Sequence, residues 1–111
     1  MKTPWNKEVD WELEMAFVRL DFPPSQRDTA QVVAALFGHF IGPAMLRLRP
    51  EHTIGEILSW TESAGLGTVE LLMVVEEEYG EMDDEFARSL ERHTFREFVE
   101  HLSRETHSRQ T

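Results

Sequence analysis

Apolar residues recur every three or four positions along most of this 111-residue chain, and that spacing is typical of amphipathic helices. Proline and glycine interrupt the pattern at Pro23-Pro24, at Gly42-Pro43 and at Gly80, which divides it into short helices. No stretch shows the regular alternation of apolar and polar residues that marks a half-buried strand. The sequence therefore predicts an all-α fold.

Four helices are predicted in one domain that spans residues 25 to 103. They cover residues 28 to 41 and 66 to 79, a short stretch around 82 to 90, and a last helix that begins near 95. Capping patterns precede the first and the last of them, because Ser25 is followed by Asp28 and Thr94 is followed by Glu97. The long connection over 43 to 65 is expected to place a short helical turn in the core, through Ile54, Ile57, Leu58 and Trp60.

The same spacing predicts which side of each helix faces the core. In the first helix these residues are Val32, Val33, Leu36, Phe37 and Phe40. In the second helix they are Leu66, Val69, Leu72, Met73 and Val75, with Tyr79 at the end. The residues expected to line the interior of the bundle are Met73, Val75, Met82, Phe86 and Phe98.

A lead segment, residues 1 to 24, precedes this domain, and a polar tail, residues 104 to 111, follows it and is expected to fray. The lead segment carries two apolar stripes at helical spacing: Trp11, Met15, Val18 and Phe22 form one, and Leu13, Phe17 and Leu20 form the other. Two interpretations stay open for its aromatic residues Trp5, Trp11 and Phe17. They pack on the bundle as an extra helix, or they form an exposed patch for a partner or a second copy.

The chain is strongly acidic, with a formal net charge of −10 at pH 7. Residues 60 to 100 hold 12 acidic side chains and 3 arginines, a local charge of −9, so nearly all of the excess lies in this stretch. Such a charge argues against nucleic acid and against an anionic membrane surface as partners. It favours a basic protein partner.

Cysteine is absent, which excludes a disulfide framework, a thiolate nucleophile and a cysteine zinc site. No apolar stretch approaches the roughly 18 residues that a membrane span needs, and no signal-peptide pattern follows the N-terminus. We therefore expect a cytoplasmic protein. No nucleophile elbow or zinc-protease motif is present, so the sequence predicts that the chain is not an enzyme.

The residues from 66 to 80 read Leu-Gly-Thr-Val-Glu-Leu-Leu-Met-Val-Val-Glu-Glu-Glu-Tyr-Gly, and they resemble helix II of acyl carrier proteins. That family typically shows Asp-Ser-Leu, a Thr-Val-Glu-Leu-like stretch and Glu-Glu-Glu-Phe. Residues 82 to 85 resemble the Ile-Pro-Asp-Glu that starts its third helix, and Thr94-Phe95 resembles the Thr-Val that opens its last helix. The resemblance covers residues 28 to 103 and implies an acyl-carrier-like four-helix bundle, with the lead segment outside it.

The chain departs from the family where carriers attach 4'-phosphopantetheine, which is the serine of Asp-Ser-Leu. The corresponding residues are Ala64-Gly65-Leu66, and Gly65 has no side chain that could form the phosphodiester. The resemblance therefore implies a scaffold without a covalent cofactor. Ser63, two residues earlier, is the alternative attachment point, and Ser59 also lies nearby.

Acidic residues on helix II of carriers meet arginine and lysine on partner enzymes. The resemblance therefore implies a recognition face made of Leu66, Glu70, Met73, Glu76, Glu77 and Glu78. The competing interpretation is an ordinary solvated helix face. The concentration of charge in this half, and three consecutive acids at the helix end that oppose the helix dipole, favour recognition.

Two other clusters have a functional and a structural interpretation. His93, Glu97 and His101 share one helical stripe, but the two histidines lie two turns apart, so a solvated face with a Glu97–His101 contact is favoured over a zinc site. The glycine-rich turn over 64 to 67 is favoured as a tight turn over an anion site. His39 is expected to be a half-buried packing residue.

Three functional hypotheses follow. The first is a non-catalytic interaction module without metal or cofactor, which meets an acyl-transfer or synthase enzyme of fatty-acid, lipid or natural-product assembly. The second is a divergent carrier modified at Ser63 or another hydroxyl. The third is a binder of an apolar ligand, with the lead segment as a lid. The oligomeric state is left open by the sequence.

Overall fold

A computed structural model of the protein describes residues 10 to 60 and 68 to 110. Within these ranges the regular elements are helical and no strand is formed, so the fold is all-α, as the sequence predicted. The α-helices are α1 Trp11–Glu14, α2 Arg27–Ile41, α3 Ile54–Leu58, α4 Thr68–Tyr79, α5 Asp84–Arg88 and α6 Phe95–Gln110. Short 3₁₀ helices cover Ala16–Asp21, Pro24–Gln26, Pro43–Arg47 and Leu90–Arg92.

The core is centred on a row of aromatic rings from the lead segment, α2 and α6. Phe22 meets Phe95 edge-on with ring centroids 6.0 Å apart, and Phe95 meets Phe37 edge-on at 5.9 Å. Phe37 then contacts Phe98 at 6.0 Å. Edge-to-face pairs of this kind contribute about 0.5–1.5 kcal/mol beyond the area that they bury. The row therefore ties the lead segment to the centre of the molecule.

The lead segment packs its first apolar stripe against α2. Trp11, Met15, Val18 and Phe22 are all buried, as their spacing predicted. The Trp11 indole lies directly on α2 at Gly38, where an added Cβ atom would overlap the ring. A glycine is required at that position because any side chain would displace the indole.

Polar contacts fix the lead segment at two further points. The Arg19 guanidinium donates to Asp28 at 2.7 Å and to the Gln31 side chain at 2.8 Å, both on α2. From α6, Arg96 donates to the main-chain oxygen of Asp21 at 3.0 Å. These contacts hold the segment to two different helices.

The 3₁₀ geometry of the lead segment differs from the single helix that the sequence predicted. The α-helix ends after one turn, and Ala16–Asp21 continues as a 3₁₀ helix. The second stripe stays outside: Leu13 is 68%, Leu20 83% and Phe17 36% exposed. Of the two interpretations, packing on the bundle therefore holds for Trp11 and the exposed position holds for Phe17, whereas Trp5 lies outside the described residues.

Two capping boxes start α3 and α6. Thr53 and Glu56 exchange hydrogen bonds of 2.8 and 3.1 Å between side chain and backbone, and Thr94 and Glu97 do the same at 2.8 and 3.1 Å. The Thr53 and Thr94 backbone N–H groups, as the main cause, lower the pKa of the Glu56 and Glu97 carboxyls. The second box was predicted from the sequence.

The predicted box at Ser25 and Asp28 is wrong. Pro24 begins a 3₁₀ turn that contains Ser25, and α2 starts only at Arg27. Gln26 is the N-cap residue of α2, and its side chain makes no capping hydrogen bond. Pro24 favours the first position of such a turn, which places Ser25 inside the turn instead of at the helix boundary.

The starts of α3 and α6 lie side by side in antiparallel fashion. The Ile54 N–H donates to the His93 carbonyl at 2.8 Å, and the Phe95 N–H donates to the His52 carbonyl at 2.8 Å. This pairing places Ile54 and Ile57 fully in the core, and Leu58 and Trp60 pack partly against it. The short helical turn predicted within the long connection is therefore confirmed.

Two helices end directly before a glycine, as the sequence predicted. Gly42 ends α2 with φ +90°, and Gly80 follows α4 with φ +92°, a conformation that favours glycine. At the C-terminus, α6 continues to Gln110, although the sequence predicted a frayed tail from 104. Arginine, glutamate and glutamine favour helix there, and no glycine or proline interrupts them.

Candidate interaction surface

Helix α4 carries most of the residues that the sequence singled out, and it buries one side only. Leu71 and Val75 are buried, while Leu72 and Tyr79 are half-buried against the core. These four residues fall on one side of a 3.6-residue helix, the side that packs on α2 and α6. The buried side of α4 therefore includes fewer of its apolar residues than the sequence predicted.

Two apolar residues of α4 point away from the core. Val69 is 66% exposed and Met73 is 60% exposed. The prediction that both face inward is wrong, and so is the prediction that Met73 lines the interior. The apolar stretch is nearly continuous, so spacing alone could not tell which residues are covered.

Acidic residues flank these two side chains. Val69, Met73 and Glu77 are four residues apart, so they stack on successive turns, and Glu70 lies beside them. Glu70 and Glu77 are exposed. We call these four residues, Val69, Glu70, Met73 and Glu77, the outer face of α4. Valine and methionine form its apolar part, and two carboxylates border that part on one side.

The other two predicted acids have different surroundings. Glu78 is exposed but lies on the opposite edge of the helix from Val69. Glu76 is half-buried, and its carboxylate accepts a hydrogen bond of 3.0 Å from the Met82 N–H. That bond braces the turn after Gly80, so Glu76 has a structural role and is not part of the outer face.

The attachment region lies outside the described residues. Gly65, Ser63 and Leu66 all fall within 61 to 67, so the assignments made to them, and the anion turn over 64 to 67, remain predictions from the sequence. Ser59, the nearby hydroxyl, is described. Its Oγ donates to the Glu56 carbonyl at 2.6 Å, which closes the end of α3.

Tyr79, at the end of α4, is influenced by charges on other elements. Burial raises the pKa of the Tyr79 hydroxyl to about 12, and the charges of Glu78, Glu12 and Asp28 add to the effect. Glu12 belongs to α1, and Asp28 belongs to α2. The acidic surface of the lead segment therefore lies within electrostatic range of the C-terminal end of α4.

His93, which precedes α6, and His101 within α6 form a stacked cluster with Phe86 that the sequence did not predict. The Phe86 ring stacks on His93 with centroids 4.2 Å apart and on His101 at 4.0 Å, with interplanar angles of 12° and 6°. Two rings cannot share one face at these distances, so Phe86 lies between the imidazoles. The half-buried Phe86 therefore joins the two histidines in one stack.

Two polar side chains contact the His93 ring. His93 Nδ1 lies 3.4 Å from a Glu97 oxygen, and its Nε2 lies 3.0 Å from the Ser89 hydroxyl. The Glu97–His93 contact was not predicted from the sequence. Among residues 10 to 60 and 68 to 104, no group of three or more acidic or histidine side chains could hold a metal ion. His39 is exposed, which corrects the half-buried position that the sequence predicted.

No family model matches this chain, and no curated protein or solved structure matches it. In the part of the chain that the structure describes, no helix has both the length and the apolar character that crossing a membrane requires.

Proposed function

We propose that this chain is a non-catalytic, acyl-carrier-like interaction module that docks a basic partner through the outer face of α4. The observation that supports this best is the exposure of Val69 and Met73 beside Glu70 and Glu77 on a helix whose other side is buried. Large apolar side chains that stay exposed together on a rigid helix are a common property of protein-binding surfaces. The resemblance to helix II of carriers assigns the same surface to partner recognition.

Each part of the outer face would contribute differently to binding. Covering Val69 and Met73 removes apolar area from water and stabilises the complex. Glu70 and Glu77 would attract lysine and arginine of the partner, which raises the association rate and makes it depend on ionic strength. The stretch from 60 to 100, with its charge of −9, extends this attraction beyond the contact itself.

The partner that fits this proposal is an enzyme that normally meets an acyl carrier. Such an enzyme acts in fatty-acid, lipid or natural-product assembly. The chain would occupy the enzyme without delivering an acyl group, because Gly65 offers no oxygen for 4'-phosphopantetheine. We therefore infer that it carries no covalent cofactor.

Intact mass measurement tests the loss of the attachment chemistry. The chain is incubated with a broad-specificity phosphopantetheinyl transferase and coenzyme A, beside an ordinary acyl carrier protein as the positive control. We expect the carrier to gain one phosphopantetheine and this chain to keep its mass. A gain that disappears in Ser63→Ala would instead establish a divergent carrier modified at Ser63.

Competition in the same reaction tests the recognition surface. We expect the unmodified chain to slow the modification of the ordinary carrier, because both would present an acidic helix with exposed apolar residues to the transferase. The inhibition should weaken as salt is added, since salt screens exposed charges. Absence of any inhibition at low ionic strength would contradict a carrier-like recognition surface.

A further inference from the structure

The lead segment has a second apolar side that the proposed function leaves unused. Leu13, Phe17 and Leu20 are exposed, and Leu20 at 83% is the most exposed of the large apolar side chains in the described residues. A single exposed leucine is ordinary in a folded protein. Three in consecutive turns of one short segment form a stripe, which we call the lead stripe.

Local geometry places the lead stripe on one side. Phe17 and Leu20 lie three residues apart in the 3₁₀ helix Ala16–Asp21, and a 3₁₀ helix has three residues per turn, so the two share a face. Leu13 lies in α1 two residues from Trp11 and two from Met15, so it points away from the side on which these two buried residues lie. The residues between those of the lead stripe, Met15 and Val18, point into the core.

The backbone under the lead stripe is fixed, so these side chains cannot turn inward. Trp11 is seated on Gly38, and Arg19 is bonded to Asp28 at 2.7 Å. Arg96 holds the carbonyl of Asp21 at the other end. A rigid apolar stripe costs little ordering entropy when a partner covers it.

Charge around the lead stripe indicates what kind of partner fits. The carboxylates of the segment are all exposed, and they are Asp10, Glu12, Glu14 and Asp21. The segment from 10 to 24 contains one basic residue, Arg19, and that residue is already paired with Asp28. The rim is therefore acidic, and it complements lysine or arginine.

The same charge disfavours a second copy of this chain. A two-fold contact would place the lead stripe of one copy against the lead stripe of the other. It would then bring the four rim carboxylates of both copies together within a pair of chains that each carry −10. Like charges across an interface oppose association.

We propose that the lead stripe is a docking site for a basic amphipathic helix of another protein. Apolar residues spaced three or four apart along the partner helix would cover Leu13, Phe17 and Leu20. Lysine or arginine on the flanks of that helix would meet the acidic rim. The site is separate from the outer face of α4 and does not depend on the proposed function.

A designed peptide pair tests this site directly. The probe is a synthetic peptide of leucine and lysine at helical spacing, and its matched control replaces every lysine with glutamate. Calorimetric titration is carried out with the wild-type chain, with the double variant Leu13→Asn and Leu20→Asn, and with Leu46→Asn. Leu46 is a matched control because it is 46% exposed and lies outside the lead segment.

We expect the lysine peptide to bind the wild-type chain and Leu46→Asn equally, and to bind the double variant about tenfold more weakly. The glutamate peptide should not bind. Both leucines are exposed, so the double variant should fold, and its circular dichroism spectrum and melting temperature should match those of the wild type.

Several results would overturn the proposal. Equal affinity for the wild type and the double variant, failure of the lysine peptide to bind, or equal binding of the glutamate peptide would each do so. In a fourth titration, with Met73→Asn, weaker binding to this variant and unchanged binding to the double variant would assign the peptide to the outer face of α4 instead. A dimer in sedimentation equilibrium that dissociates in the double variant would identify a second copy as the occupant.

Discussion

Helices α2 and α4 both carry apolar residues at helical spacing, but they are covered very differently. Helix α2 buries Val33 and Phe37 towards the aromatic core and Gly38 under the lead segment, so it is enclosed on two sides. Helix α4 packs one side on α2 and α6 and leaves Val69 and Met73 exposed. An apolar stripe therefore becomes core only where a second element covers it. On α4 the uncovered part is available to a partner.

The largest expected change in the free energy of unfolding distinguishes a core residue of α2 from a surface residue of α4. Phe37→Ala should lower the free energy of unfolding by about 3–5 kcal/mol, because it removes a fully buried ring that contacts Phe95 and Phe98. Met73→Ala should change it by less than about 0.5 kcal/mol. Urea unfolding measures both. A loss of stability in Met73→Ala close to that in Phe37→Ala would show that α4 is covered on both sides.

The next effect tests how closely the lead segment approaches α2. Gly38→Ala should destabilise the protein by about 1–3 kcal/mol, since its Cβ atom would overlap the Trp11 ring. In a Trp11→Ala background the same substitution should cost much less, because the obstructing ring is gone. Equal costs in both backgrounds, measured by thermal unfolding, would contradict the packing of Trp11 on Gly38.

A smaller effect tests the polar attachment of the lead segment to α6. Arg96→Gln should cost about 1 kcal/mol, because it removes bonds to Asp21 and Glu51 and the contact of the guanidinium with the Phe22 ring. Arg104→Gln is the matched control on the same helix. Its 4.0 Å pair with Glu100 is exposed and should contribute almost nothing. Similar destabilisation of both variants in urea would argue against the attachment of the lead segment to α6 through Arg96.

The smallest effect concerns pH at the end of α4. The pKa of Tyr79 is raised to about 12 in the folded protein, above the value of about 10 expected for an unfolded chain. The folded state therefore holds this proton more tightly. Its contribution to stability is complete below about pH 10 and is lost as pH rises towards about 12.

The comparison of wild type with Tyr79→Phe isolates that contribution, because all other titrating groups are shared. From about pH 9 to about pH 11, the free energy of unfolding should fall more steeply in the wild type than in Tyr79→Phe. Identical slopes, measured by urea unfolding at several pH values, would show that Tyr79 is not buried against the acidic residues around it.

Local signals in the sequence predicted local structure well. Thr94 and Glu97 form the capping box that their spacing predicts, because a capping box depends on four consecutive residues. The helix ends at Gly42 and Gly80 were also predicted, because the positive φ angle that ends a helix depends on a single residue and favours glycine. At Ser25 the local signal failed, because the preceding Pro24 starts a competing turn.

Features that depend on neighbouring elements could not be predicted. The sequence did not predict that Val69 and Met73 point outward, because nothing in the local pattern tells which of several apolar residues will be covered. The stacking of Phe86 between His93 and His101 depends on where α5 places Phe86 relative to the two histidines, which spacing within one helix does not reveal. The need for a glycine at position 38 was not predictable, because it depends on the Trp11 ring of another element that packs against it.

The central claim, that the outer face of α4 is a docking surface, is tested most directly by the inhibition constant of the chain against a phosphopantetheinyl transferase that modifies an ordinary carrier. Met73→Glu should keep the wild-type melting temperature and should raise the inhibition constant about tenfold or more. The exposed control Leu46→Asn should leave the constant unchanged. Equal inhibition by the wild type and Met73→Glu would contradict the claim.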